Sequence, residues 1–138
     1  MQFYSTNRKT SPVSLREAVV RGLAADRGLF MPEVIRRFPP AFYQDMKEMT
    51  LREISFVVAE AFFGEDVEAG KLKEIVDETL NFDIPLVQVA DNRYSLELFH
   101  GPTLAFKDVG ARFMARLLAY FNKQEGERQV NVLVATSG

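Results

Sequence analysis

The chain has 138 residues, 47% of them hydrophobic, which is enough apolar material for a real core and too much for disorder. Its formal net charge is −2 and its basic residues cluster no further than pairs such as Arg36 and Arg37, so no positive stripe exists to neutralise a nucleic-acid backbone. Cysteine is absent and His100 is the one histidine, which excludes structural zinc and leaves too few imidazole or thiolate ligands for a catalytic transition metal.

The opening MQFYSTNRK lacks a signal-peptide core, and no later apolar run approaches the ~18 residues a bilayer span needs, so no membrane association and a cytoplasmic location are expected. Gln2 to Ser5 reads as a short strand, followed by a loop to Pro12. Ser14 to Glu17 is an S-x-x-E capping box. It opens a helix to Val20 or Arg21, with Leu15, Ala18 and Val19 inward and Gly22 as its stop. After a turn at Asp26, Arg27 and Gly28, Leu29 to Met31 is a strand that could pair with Phe3 to Ser5; the alternative is an irregular loop. Pro40 suits the first position of a short helix through Met46.

Thr50 to Glu53 repeats the capping pattern as T-x-x-E. The helix it starts carries Leu51, Ile54, Val57, Val58, Ala61 and Phe62 at helical spacing and ends at Gly64. Another runs from about Val67 to Leu80, with Leu72, Ile75, Val76 and Leu80 inward. The charges of these helices read as solvated faces. Residues 1–80 are thus expected to form a mainly helical N-terminal domain with a short strand pair.

The character changes at Asn81 to Pro85. Leu86 to Val89 and Tyr94 to Phe99 flank an Asp91, Asn92, Arg93 turn and predict a hairpin. A loop at His100, Gly101 and Pro102 leads to a helix that runs from about Lys107 to Phe121, with Thr103 as its candidate N-cap. Val130 to Ala135, nearly all apolar or β-branched, reads as a strand covered on both faces of a parallel sheet. The fold class is therefore mixed α/β, with residues 81–138 the start of an α/β domain. Thr136, Ser137 and Gly138 follow that strand, where ligands gather in open α/β sheets, although a lone T-S-G is also a plain turn.

Lys107 breaks the pattern of its own helix. At about 100° per residue, Phe106, Gly110, Ala111, Phe113, Met114, Leu117, Leu118 and Phe121 fill one apolar arc, and Lys107 projects into it between Met114 and Leu118. Asp108, Arg112 and Arg116 lie on the polar side, where Asp108 and Arg112 could pair across a turn in water. The amine stands in the first helical turn, where the macrodipole disfavours a cation. Burial there would favour its neutral, nucleophilic form, as in lysines that form Schiff bases. The alternative is an amine that snorkels past the helix end into water. Phe106 is read as core or as an aromatic beside a ligand, and His100 as a turn residue or a proton carrier near neutral pH.

The string FHGPTLAFKD at Phe99–Asp108, with GARFMA after it and ATSG at Ala135–Gly138, closely resembles the active-site segment of threonine synthase, a pyridoxal-phosphate enzyme of the fold type II group. YST at Tyr4–Thr6 and GLFMP at Gly28–Pro32 are similar to the opening of the same family, so the resemblance covers essentially the whole chain. It implies pyridoxal 5'-phosphate as cofactor, in imine linkage with Lys107 and with Phe106 beside it. It also implies that Thr136, Ser137 and Gly138 begin the loop that holds the substrate carboxylate. Residues 81–138 would then be the truncated start of the cofactor-binding domain, with the glycine-rich phosphate loop absent. The implied reaction is the conversion of O-phosphohomoserine and water to threonine and phosphate, a carbon–oxygen lyase chemistry on a phosphate ester. The rivals are another fold type II enzyme, such as an amino-acid dehydratase, and a non-catalytic interaction or regulatory module. An apolar strand without its neighbour also leads one to expect self-association of the chain alone.

Overall fold

The computed structural model describes residues 1–124, 126 and 129–133. In chain order its elements are β1 (Gln2–Ser5), β2 (Val13–Ser14), α1 (Leu15–Arg21), β3 (Phe30–Pro32), α2 (Pro40–Asp45), a 3-10 turn (Met46–Glu48), α3 (Leu51–Phe63), α4 (Ala69–Thr79), β4 (Leu86–Ala90), β5 (Arg93–Leu96) and α5 (Lys107–Gln124). The class is mixed α/β, as expected. Helix starts follow their capping residues: the Glu17 amide donates to Ser14 Oγ at 3.2 Å, and Thr50 and Glu53 satisfy each other's backbone amides in a complete capping box. Pro40 occupies the first turn of α2. The Glu17 carboxylate does not close the Ser14 box and instead pairs with Arg21 one turn on, at 2.9 Å.

β1 is the middle strand of a three-stranded antiparallel sheet, with β2 on one side and β3 on the other. The β1–β3 pairing expected from the sequence is present, with Tyr4 opposite Met31 and Ser5 opposite Phe30. What locks it is a loop contact. Ser5, fully buried, donates from its hydroxyl to Asp26 Oδ1 at 2.6 Å, and the amides of Gly28 and Lys9 donate to the same carboxylate at 3.0 and 2.9 Å. Gly28 is required by this approach, because a Cβ there would lie 2.0 Å from Ser5 Oγ and 2.9 Å from the Asn7 nitrogen. Thr6 and Leu29 complete the join, since the Thr6 amide donates to the Leu29 carbonyl and the Leu29 amide to Thr6 Oγ1, both at 2.9 Å. YST and GLFMP are thus two halves of one hydrogen-bonded corner.

The core lies between this sheet and the helices. Leu72, Ile75, Val76 and Leu80 are all buried, as their spacing predicts, and they meet Phe3, Leu15 and Ala18 from the sheet side. α5 closes the same core: Leu117 and Phe121 are 3% exposed and pack among residues of α1 and α4. α3 departs from expectation. Besides the positions expected from spacing it carries apolar residues at Phe56, Ala59 and Phe63, and it is these three that turn to the core while Leu51 is exposed.

The hairpin β4–β5 forms around Asp91 and Asn92, with Asn92 at φ 56°, but its second strand ends at Leu96 and leaves Phe99 in the following loop. Residues 129–133 belong to no strand, in contrast to the parallel strand expected over Val130–Ala135. A parallel strand is held by neighbours on either side, and no described residues supply one; Val134 and Ala135 lie outside the described residues.

Two outcomes follow from this packing. Leu72→Ala, at a site with no exposure, is expected to lower unfolding free energy by about 2–5 kcal/mol in urea titration; a loss well under 1 kcal/mol would refute its place in the core. For Asp26, the Ser5 hydroxyl above all, with the Gly28 and Lys9 amides, holds the carboxyl below its ordinary pKa against the opposing effect of desolvation. The contribution is therefore present above about pH 3.9 and is lost as pH falls through the lowered folded-state value. Asp26→Asn should flatten that part of the acid unfolding curve, and an unchanged curve would show that the corner does not contribute.

Candidate functional site

The segment that carries Lys107 is built from two consecutive turns and a helix start. After β5, the Glu97 amide returns to the Pro85 carbonyl at 3.0 Å, closing the hairpin. The Leu104 amide then donates to the Gly101 carbonyl and the Asp108 amide to the Ala105 carbonyl, each at 3.0 Å, which delivers the chain into α5. Leu104 pays for the tight path with φ 55°, a left-handed conformation that costs a residue with a Cβ roughly 1–2 kcal/mol. Its side chain is 77% exposed, so packing is not what holds it there.

Asp108 holds it. Its side chain is 4% exposed and turns back over the loop, where Oδ2 accepts the Thr103 amide at 2.9 Å. Gly101 lies directly against the carboxyl: a Cβ on Gly101 would stand 2.5 Å from Asp108 Oδ2 and 2.9 Å from its Cγ. A carboxylate in the first turn also suits the helix dipole. The expected Asp108–Arg112 pair does not form, because the C-terminal end of α4 competes for the guanidinium. Arg112 Nη2 donates to the Glu78 carbonyl at 2.8 Å and its guanidinium lies 5.6 Å from the Phe82 ring centroid, while Arg116 Nε meets the Glu78 carboxylate at 2.7 Å. Free carbonyls at a helix end attract cations. Thr103 is not the N-cap; α5 begins at Lys107, which puts Thr103 too early by three residues.

Lys107 itself is exposed, which corrects the expectation of burial. The reason is the direction from which the core approaches α5. Val109, Phe113, Leu117 and Phe121 face the core, and Lys107 lies roughly 120° around the helix from Phe113. Its neighbours on the wheel, Gly110, Ala111 and Met114, are exposed with it. The apolar arc is therefore wider than the part of it that packs. Phe106, the residue before Lys107, is 65% exposed and is not core. His100 places Nε2 2.7 Å from Glu97 Oε2 and its ring 4.7 Å from that of Phe99, a partnered position ahead of the two turns that lead to the lysine. Thr136, Ser137 and Gly138 lie outside the described residues.

An apolar cleft of about 760 Å³ opens beside α5, lined among others by Leu29, Met31, Leu96, Leu98, Gly110 and Met114, and Lys107 is not in its wall. The cleft wall is almost wholly apolar, with the hydroxyls of Ser55 and Thr79 as its polar side-chain groups. Among the described residues no group of acidic and imidazole side chains could hold a metal, and no helix is long and apolar enough to cross a membrane. Sequence reading missed Asp108 and Gly101 as a pair. The available signal was a carboxylate at the second helical position behind a Gly-Pro-Thr turn, where a side chain can reach back to loop amides.

The fold corresponds to the opening of a fold type II pyridoxal-phosphate enzyme. TM-scores are 0.82 against threonine synthase of Escherichia coli (36% identity, 88% of this chain, 28% of that one) and 0.87 against that of Brucella melitensis, solved with pyridoxal phosphate bound (34% identity, 93% and 29%). The family described as "Threonine synthase N terminus" matches residues 2–80. Over 138 residues the chain is 39% identical to threonine synthase of Serratia marcescens, covering all of this chain and 32% of that one. The Saccharomyces cerevisiae enzyme is 36% identical over 157 residues, 99% of this chain and 30% of its own. The chain belongs to the threonine synthase family. It spans about a third of the length of the relatives it matches.

The loop geometry carries a stability prediction. Gly101→Ala should destabilise by about 1–3 kcal/mol, the ordinary cost of overpacking, because its methyl group displaces the Asp108 carboxyl. Thermal unfolding with an unchanged midpoint would show that the loop yields freely.

Proposed function

We propose that this chain is the N-terminal portion of a cytoplasmic, pyridoxal-phosphate-dependent lyase that converts O-phosphohomoserine and water to threonine and phosphate. Residues 1–80 would form its N-terminal domain and residues 81–138 the start of its cofactor-binding domain. The observation that carries the reading is Lys107, a primary amine on the first turn of a long, core-anchored helix, exposed and adjacent in sequence to the exposed Phe106.

The fit of these residues to the cofactor can be tested on the other lysines. Lys71 bonds to Glu74, whose carboxylate raises the pKa of its amine, and Lys73 bonds to Asp77 at 2.7 Å. Both are engaged in ion pairs on α4. The Lys107 Nζ has no hydrogen-bonding or ion-pair partner among the described residues and is free to meet an aldehyde; the amines of Lys9, Lys47 and Lys123 are also unpartnered there, and what singles out Lys107 is its place in the string FHGPTLAFKD. Lys107 would thus hold the cofactor's carbonyl carbon, with Phe106 against its ring, and Thr136, Ser137 and Gly138 would take the substrate carboxylate. When bound, the cofactor withdraws electrons from the carbons next to the substrate nitrogen. Lys107 Nζ would carry protons at the α and β carbons, so that phosphate leaves from the γ carbon and water adds at the β carbon.

Borohydride reduction of the complete enzyme with its cofactor is expected to attach pyridoxal to Lys107, and peptide mapping that finds it on Lys71, Lys73 or Lys123 would overturn the assignment. Lys107→Ala should leave stability within about 0.5 kcal/mol, since the side chain is exposed, and abolish turnover. The 138 residues alone are expected to show negligible threonine formation from O-phosphohomoserine. They should also self-associate as concentration rises, because Leu86, Val89 and Leu96 of the hairpin are each more than half exposed. A monomeric sedimentation profile at every concentration would contradict this.

A further inference from the structure

Resting on that reading of Lys107, we infer that Asp108 is a positioning residue for the reaction: its carboxylate clasps the Gly101–Phe106 loop and thereby sets where the Lys107 backbone stands. The hydrogen bond from the Thr103 amide to Asp108 Oδ2, 2.9 Å long, closes a ring made of the backbone from Thr103 to Asp108 and the Asp108 side chain. Lys107 is a member of that ring. Two further bonds brace it, from the Leu104 amide to Gly101 and from the Asp108 amide to Ala105, and Leu104 is kept in its left-handed conformation within it. From outside, Gly101 closes the clasp so tightly that it leaves no room for a methyl group beside the carboxyl.

A buried carboxylate one residue from an exposed amine has two possible uses, and they separate on chemistry. If Asp108 served only to offset the helix dipole, its charge would matter and its contact with Thr103 would not. In the clasp, an acceptor oxygen at the right place is what matters, and a neutral amide oxygen can supply it. Displacing a reacting group by about 1 Å can cost on the order of 10²-fold in rate. The effect should fall on the chemical step, because Lys107 stays in place as a residue and loses only its fixed position.

The test uses the complete enzyme with its cofactor and the variants Asp108→Ala and Asp108→Asn. Asp108→Ala is expected to lower kcat on the order of 10²-fold with KM changed by less than about threefold. Asp108→Asn should recover kcat to within about tenfold of the parent, as expected when an acceptor and not a charge is required. Hydrogen exchange at the Thr103 amide gives a readout that needs neither cofactor nor Lys107: protection should be lost in the alanine variant and kept in the asparagine variant. Should Asp108→Ala not fold, Gly101→Ala presses on the same carboxyl oxygen and must reproduce the kcat loss. Thr103 protection that survives Asp108→Ala overturns the clasp, whatever the turnover. Protection lost with kcat unchanged overturns the positioning role, and an asparagine variant as slow as the alanine one assigns the effect to charge and overturns it as well. Failure of the Lys107 assignment would appear separately, as cofactor mapped to another lysine in the parent enzyme.

Discussion

The packing of Leu117 and Phe121 into the seam between α1 and α4 is the contact on which the rest of the molecule depends. These two side chains join α5 to a core that also contains Phe3, Leu15, Leu72 and Val76, so sheet, helices and the lysine-bearing helix share one apolar centre. A helix rises 1.5 Å per residue, so anchoring Leu117 fixes the height of Lys107 roughly 15 Å away along the axis. Arg112 and Arg116, both bonded to Glu78, tether the same helix to the end of α4 and fix its rotation as well. The side of α5 on which Lys107 lies is therefore set by residues one or more turns further along the helix.

The same construction explains why the amine is exposed. A single helix cannot turn its whole apolar arc toward one core, and the α1–α4 seam takes the side centred near Phe113. The side that carries Lys107, Gly110 and Met114 faces outward, and Gly110 and Met114 also line the apolar cleft. Rigidity at the head of α5 comes instead from the loop, through Asp108 and Gly101. Core anchoring at one end and a polar clasp at the other divide the work: apolar burial is non-directional and fixes placement, whereas the hydrogen bond is directional and fixes the path of the backbone.

Much of the local structure was legible from residues a few positions apart. Ser14 and Thr50 start helices because their hydroxyls meet amides three residues on, Leu72, Ile75 and Val76 share a face because of the helical repeat, and Asn92 accepts the left-handed turn of a hairpin. The string around Lys107 also marked the family, and the comparisons agree with it. Tertiary structure decided three things that such spacings do not contain. It chose the inner face of α3, which carries apolar residues on more than one side; it drew Arg112 away from Asp108 to a carbonyl 34 positions earlier in the chain; and it turned Lys107 outward by presenting the core on another side of α5. The physical reason is common to all three: periodicity states which residues share a face, but only the position of the neighbouring element determines which face is covered and which polar group wins a given partner.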